Sequence, residues 1–138
     1  MAPVRDTQAM IAGMSPVAVP GEWHFCFVST DDARCDRLRG LARATLAEDE
    51  GWSLILDEAT AQAEGLASDL PMTQISLQVH SALDGVGLTA AISEVLADAE
   101  IPCNIVAGYH HDHCFVPVGM AEEALTLLRA RAEKGAAQ

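Results

Sequence analysis

Residues 72–99 read MTQISLQVHSALDGVGLTAAISEVLADA, and this stretch decides the fold. Ile75, Leu77 and Val79 alternate with Gln74, Ser76, Gln78 and His80, the period-two pattern of a strand with one apolar, covered face and one polar face. The period then changes. Leu88, Ala91, Ile92, Val95, Leu96 and Ala99 recur at three- and four-residue spacing with Glu94 and Asp98 turned outward, which predicts an amphipathic helix. A strand followed by a helix, each with one apolar side, predicts an α+β layer in which the helix covers the apolar face of the sheet.

Toward the C-terminus, Ile101 to Ala107 and Cys114 to Val118 read as two further strands joined by Gly108-Tyr109-His110-His111-Asp112-His113. Ala121, Ala124, Leu125, Leu128 and Ala132 mark a last amphipathic helix, and the tail to Gln138 is expected to fray. The C-terminal half is therefore β-α-β-β-α, one strand short of the split βαβ, ferredoxin-like unit. Toward the N-terminus, Asp6 caps a short helix over residues 7–14 that Pro16 stops, leaving only a brief edge strand from Pro16 to Val19. Trp23 to Val28 is expected to be a buried strand, with Trp23, Phe25 and Phe27 on one side and His24, Cys26 and Val28 on the other. Asp31 to Arg43 reads as loop or irregular helix, Gly51 to Asp57 as a strand, and Glu58 to Glu64 as a short helix closed by Gly65. Ser68 to Pro71 separates two halves that repeat the same order of elements, which divides the chain into 1–70 and 71–138.

Half of the 138 residues are hydrophobic and 20% are charged, so the chain can bury a core and is far from the disordered regime. Two units this small must pack on each other. Twenty acidic residues against eight basic ones give a net charge of −12, which repels polyanions and argues against nucleic acid and anionic membrane surfaces as partners. Arg34, Arg37, Arg39 and Arg43 lie beside Asp31, Asp32 and Asp36 and read as a mixed-charge surface. Cys26, Cys35, Cys103 and Cys114 show no C-x-x-C spacing and read as reduced thiols. No stretch is long and apolar enough for a membrane span or a secretion signal, so a cytoplasmic protein is expected.

Asp84-Gly85-Val86-Gly87-Leu88, Ile101 through Asn104-Ile105, and Phe115-Val116 resemble an ACT domain, with units of the aspartokinase type the most similar. Taken with Gly51 to Leu56, Val79-His80-Ser81, Val106 to Tyr109, Asp112-His113 and Val116-Pro117, the whole chain is similar to a bacterial family of stand-alone, uncharacterised ACT-like proteins. The resemblance implies two ferredoxin-like (βαββαβ) ACT-type units side by side, amino acids as the ligand class, and strand exchange or dimer formation. The N-terminal unit departs from the pattern: no D-x-x-G-L loop follows Trp23 to Val28, and this unit reads as degenerate.

The expected ligand-binding residues are Asp84, Gly85, Val86, Gly87 and Leu88, joined by Asn104, Tyr109 and His113. Two glycines before a helix let backbone N–H groups approach a ligand carboxylate, Asp84 accepts from an ammonium, and Asn104 offers both donor and acceptor. In the alternative, the glycines only make a tight turn. On this reading a branched residue at position 87 would block the ligand and leave the fold intact. The His110–Cys114 tract, with His80 near it, has the residue types of a zinc site, so a metal-binding protein or a metal-dependent small-molecule enzyme is the alternative function. In an extended chain, however, His111 and His113 face one way and His110, Asp112 and Cys114 the other, so no resident metal or cofactor is assigned. No nucleophile motif is present, and a non-catalytic regulatory binder of a small molecule is expected, forming a homodimer through unpaired strand edges.

Overall fold

The computed structural model describes residues 6–79 and 85–136, with the side chains of residues 135 and 136 left aside. The chain forms two compact units, one of Met1–Pro20 with Thr73–Gln138 and the other of Gly21–Met72. One boundary lies next to the Ser68–Pro71 break read in the sequence. The other lies at Pro20, so the N-terminal helix and strand group with the C-terminal half.

In the first unit, α1 (Thr7–Ala12) is capped by the Asp6 carboxylate, which accepts from the Ala9 N–H at 3.0 Å. The chain then enters β1 (Pro16–Ala18), which runs antiparallel to β5 (Met72–Leu77) with Val17 opposite Ser76. The helix α4 (Leu88–Asp98), the hairpin β6 (Asn104–Ala107) and β7 (Asp112–Pro117), and the helix α5 (Ala121–Ala136) follow. The strand order β1-β5-β7-β6 is that of a ferredoxin-like sheet whose last strand is supplied by the N-terminal segment. The strand that the C-terminal half lacks in sequence is therefore Pro16–Ala18. Met10, Ile11 and Met14 join Ile75, Leu77, Ile92, Leu96, Val116 and Leu128 in one core.

Helix α4 buries Leu88, Ala91, Ile92 and Leu96, the face read from its periodicity. Its end explains why β6 starts later than the apolar run from Ile101 suggests. Glu100 turns left-handed at φ 58°, its N–H reaches the Ala97 carbonyl, and the Ile101 N–H reaches Leu96. Ile101 is thereby spent on closing the helix, buried at 4% exposure, and strand pairing begins only at Asn104. On the other side of the hairpin, β7 begins at Asp112, two residues before the expected Cys114.

The second unit comprises β2 (Trp23–Ser29), α2 (Cys35–Leu41), β3 (Ala44–Glu48), β4 (Gly51–Asp57) and α3 (Glu58–Ala63). Strand β4 lies between β3 and β2, and Trp23 of β2 also pairs with Met72, the first residue of β5. This is again the β-α-β-β-α order. The sequence reading missed β3, whose residues are mostly exposed and carry no alternation. It also placed β2 in the interior on both faces. His24, Cys26 and Val28 are indeed buried, but Phe25 and Phe27 remain 40% and 47% exposed, so only one face of β2 is core. Part of Asp31–Arg43 is the short helix α2, held because Cys35 and Leu38 reach the core beside Leu54 and Leu56.

The arginines beside it are all engaged. Arg34 bonds Asp32 and the carbonyl and carboxylate of Glu64, Arg37 pairs with Glu64, and Arg39 pairs with Asp36. Arg39 and Arg43 also lie over the rings of Trp52 and Trp23 at 4.3 and 4.7 Å. The hydrogen bonds from Arg34 hold the Asp32 carboxyl down at about 2. Such a cluster offers no spare basic stripe to a polyanion.

Candidate functional site

The loop residues Gly85 to Leu88 lead into α4, whose N-cap is Gly87. Glycine brings no side-chain oxygen to the cap, so the cap residue itself does not satisfy the first-turn N–H groups through a side chain. The Gly87 backbone sits at φ +105°, a region that disfavours other residues. Its Cα does not look out on open space. A Cβ there would fall 2.6 Å from Thr7 Cγ2, and Thr7 Oγ1 donates to the Val86 carbonyl. Helix α1 therefore closes one side of the loop, which answers why a glycine is needed at 87 and removes the expectation that a branched residue there leaves the fold intact. Val86 is 75% exposed, while Leu88 is a core residue. Asp84 and His80 lie outside the described residues.

Asn104, Tyr109 and His113 belong to the β6–β7 hairpin. Register pairs Asn104 with Phe115 and Val106 with His113, whereas Ile105 and its partner Cys114 pack into the helix-side core. Asn104 and His113 are thus on the sheet face opposite the helices, and Leu88 is on the helix side. The seven described sequence candidates therefore fall into two groups, the loop and the hairpin. Tyr109 stands 77% exposed at the turn, edge-on to His110 with ring centroids 5.0 Å apart. The turn is closed by the Gly108 N–H donating to the His111 carbonyl at 2.9 Å, and a Cβ at Gly108 would meet that carbonyl oxygen at 2.8 Å.

The histidine tract divides among separate partners. His111 Nδ1 lies 3.3 Å from the Val79 carbonyl oxygen, and His113 Nδ1 lies 3.1 Å from Gln74 Nε2 and 2.9 Å from Ser76 Oγ. Cys114 turns the other way, to Cys103. Among the described residues no three His, Cys, Asp or Glu side chains are placed to hold one metal ion. The polar face of β5 is not simply solvated either, because Gln74 is 4% exposed and its amide also donates to Ser76 Oγ.

A second polar cluster escaped the sequence reading. His24, 2% exposed on β2, donates from Nε2 to the Glu58 carboxylate, while its Nδ1 accepts the Ser68 N–H at 3.0 Å. Ser68 Oγ lies 3.2 Å from the same Nδ1. The hydrogen bond from His24, and then that from Gln62, hold the Glu58 carboxyl below its ordinary range. A serine, a histidine and a carboxylate in a row resemble a nucleophilic triad in composition only. The Nδ1 lone pair that would take a proton from Ser68 Oγ already receives the Ser68 N–H. The cluster clasps the segment after α3 onto β2, helped by the Cys26 thiol donating to the Leu66 carbonyl. The sequence signal available was His24 in phase with Cys26 and Val28 on the inward side of a strand.

One ACT-domain family model matches residues 70–130 and another matches residues 2–73. A search of curated proteins returns no match. Among solved structures, a Vibrio cholerae protein of unknown function, described as a possible transport protein, is 38% identical, with 91% of this chain and 94% of that chain covered at a TM-score of 0.79. An Agobacterium tumefaciens protein shares 17% identity over 85% of this chain and 87% of its own, at a TM-score of 0.66. The ligand-free regulatory subunit of aspartate kinase from Thermus thermophilus shares 10% identity over 87% of this chain and 98% of its own, at a TM-score of 0.61. The last two likenesses are of fold. Two ferredoxin-like units, each matched by an ACT-domain model, make this chain a member of the ACT-domain family that carries two such domains in tandem.

Proposed function

We propose that the protein is a cytoplasmic, non-catalytic sensor that binds a free amino acid, or a close relative, at the Asp84–Leu88 loop. The observation that carries this reading is the glycine-capped start of α4 inside an ACT domain. The eleven-residue helix contributes about half a positive charge at that end, enough to favour a carboxylate locally although the protein as a whole is acidic. Asp84 is assigned to the ligand ammonium. Asn104, Tyr109 and His113 form a second group of candidate contacts on the hairpin. Likeness to the regulatory subunit of an aspartate kinase supports a regulatory role, and among the described residues no helix is long and apolar enough to cross a membrane.

Screening the proteinogenic amino acids by thermal shift tests the reading. A ligand at about a hundred times its dissociation constant adds roughly 2.7 kcal/mol of stability, a rise of several degrees for a chain of this size. The hit is then repeated on Asp84→Ala and on Val86→Asp. The second variant places a carboxylate beside the helix start at an exposed position, which repels the ligand without opposing the helix dipole. Both variants are expected to fold and lose the shift. A hit that survives both, or no hit at all, removes the loop as the site. Loss of the shift on Tyr109→Ala alone would move the site to the hairpin.

We also propose a homodimer. Strand β1 fills the gap in the first unit, so pairing between copies falls to the remaining edges, and exposed Leu46 on β3 and the ends of the sheet order support it. Light scattering at tens of micromolar is expected to give twice the mass of 14.6 kDa, and the monomer mass would refute pairing.

A further inference from the structure

The four cysteines are free thiols, and their environments differ. Cys26 points its sulfur at the carbonyls of His24 and Leu66, and Cys35 points at those of Ser29 and Thr30. Cys103 and Cys114 instead face each other, with Sγ atoms 3.1 Å apart. The register explains the meeting. Cys114 is opposite Ile105, so Cys103, two residues earlier, is its diagonal neighbour on the same face of the hairpin. We propose that Cys103 and Cys114 are an oxidisable dithiol, a site that a hydroperoxide converts into an intramolecular disulfide.

Three features support this assignment. The sulfurs need to approach by only about 1 Å to reach bonding distance. Cys103 precedes the first residue of β6, so it can make that movement without breaking a ladder hydrogen bond. Access is also unequal: Cys114 is fully buried, whereas Cys103 is only partly so. Either thiol can donate in the contact between them; once Cys103 is a thiolate Cys114 is the donor, and this hydrogen bond lowers the Cys103 pKa, while the same bond, and then burial, raise that of Cys114. The accessible sulfur is thus the better thiolate.

The chemistry balances in two steps. The Cys103 thiolate attacks one oxygen of the hydroperoxide; the O–O bond breaks, the sulfur becomes a sulfenic acid, and the other oxygen leaves as hydroxide or alkoxide and takes up a proton. The Cys114 sulfur, losing its proton, then attacks the sulfenic sulfur of Cys103 and expels the hydroxyl, which leaves with that proton as water. Two thiols are oxidised by two electrons, and the peroxide is reduced by two. The product staples the hairpin that carries Tyr109 and His110 at its tip. The two sulfurs lie in the same helix-side core as Leu88, and their oxidation does not depend on ligand binding.

The test uses the full chain and hydrogen peroxide. The treated protein is expected to lose the mass of two hydrogen atoms, to lose two titratable thiols, and to melt several degrees higher until dithiothreitol is added. Chymotryptic cleavage after exposed Tyr109 separates the two cysteines, so a disulfide between them appears as a pair of peptides joined until reduction. Cys114→Ala is expected to stop at a dimedone-reactive sulfenic acid on Cys103, and Cys103→Ser to leave Cys114 unreactive. Should either variant fail to fold, the wild-type peptide map decides alone. A Cys26–Cys35 bridge, a disulfide-linked dimer, oxidation of Cys103 past sulfenic acid with Cys114 still free, or four intact thiols would each overturn the proposal.

Discussion

A fragment of residues 71–138 is expected to show no cooperative unfolding transition, although it holds all but the first residue of the 70–130 match of one ACT-domain model. The reason lies at the other end of the chain. Met10, Ile11 and Met14 are 1%, 2% and 0% exposed in the core of the first unit. Burying side chains of this size stabilises by about 1.5–3 kcal/mol each, so the three together contribute roughly 5–9 kcal/mol. That is comparable with the whole stability of a small domain, roughly 5–15 kcal/mol. Removal also exposes the edge of β5, where Val19 donates to the Gln74 carbonyl at 2.8 Å and Gln78 to the Met14 carbonyl at 2.6 Å. Far-UV circular dichroism with urea titration checks the outcome. A synthetic peptide of residues 6–20 should restore the transition in trans. A fragment that melts cooperatively near the temperature of the full chain would show that the N-terminal segment is an accessory.

This arrangement separates what the sequence states from what only tertiary structure supplies. Strand β5 and helix α4 were legible because each gathers its apolar residues largely on one side, which gives a clean period of two or of 3.6 residues. That the C-terminal half lacks a strand was legible too. What fills the gap was not, since Pro16–Ala18 is three residues long and carries no period of its own. Strand β3 was missed for the same reason, being exposed along most of its length. The error on β2 has another origin. Aromatic residues on both sides of a strand suggest burial on both, but composition does not reveal whether a second layer exists to cover Phe25 and Phe27. For the site, the loop before α4 was found through its glycines, and its closure by Thr7 was hidden, because the contact spans 79 positions in sequence. His24 was placed on the correct face, and its partners Glu58 and Ser68 come from elements with no pattern linking them to β2.

Gly87→Ala is expected to destabilise the protein by about 2–5 kcal/mol, an effect with two separable parts. Holding a residue with a Cβ at φ +105° costs about 1–2 kcal/mol through contact with its own backbone. Placing that Cβ 2.6 Å from Thr7 Cγ2 forces α1 or the loop to move, at the roughly 1–3 kcal/mol typical of overpacking. Thr7→Ser isolates the second part. It removes the methyl group and keeps the hydroxyl that donates to the Val86 carbonyl, so alone it should change stability by less than about 1 kcal/mol. In the Thr7→Ser background, Gly87→Ala should cost about 1 kcal/mol or more less than in the wild type, a coupling readable from urea unfolding of the four proteins. Gly87→Val, with two further carbons, should be worse than Gly87→Ala in either background. Because these losses arise without any ligand, a loss of binding in a Gly87 variant says nothing about the backbone's approach to a carboxylate. Strict additivity of Thr7→Ser and Gly87→Ala would mean that α1 does not press on the loop, and the whole cost of the alanine would then belong to the backbone angle alone.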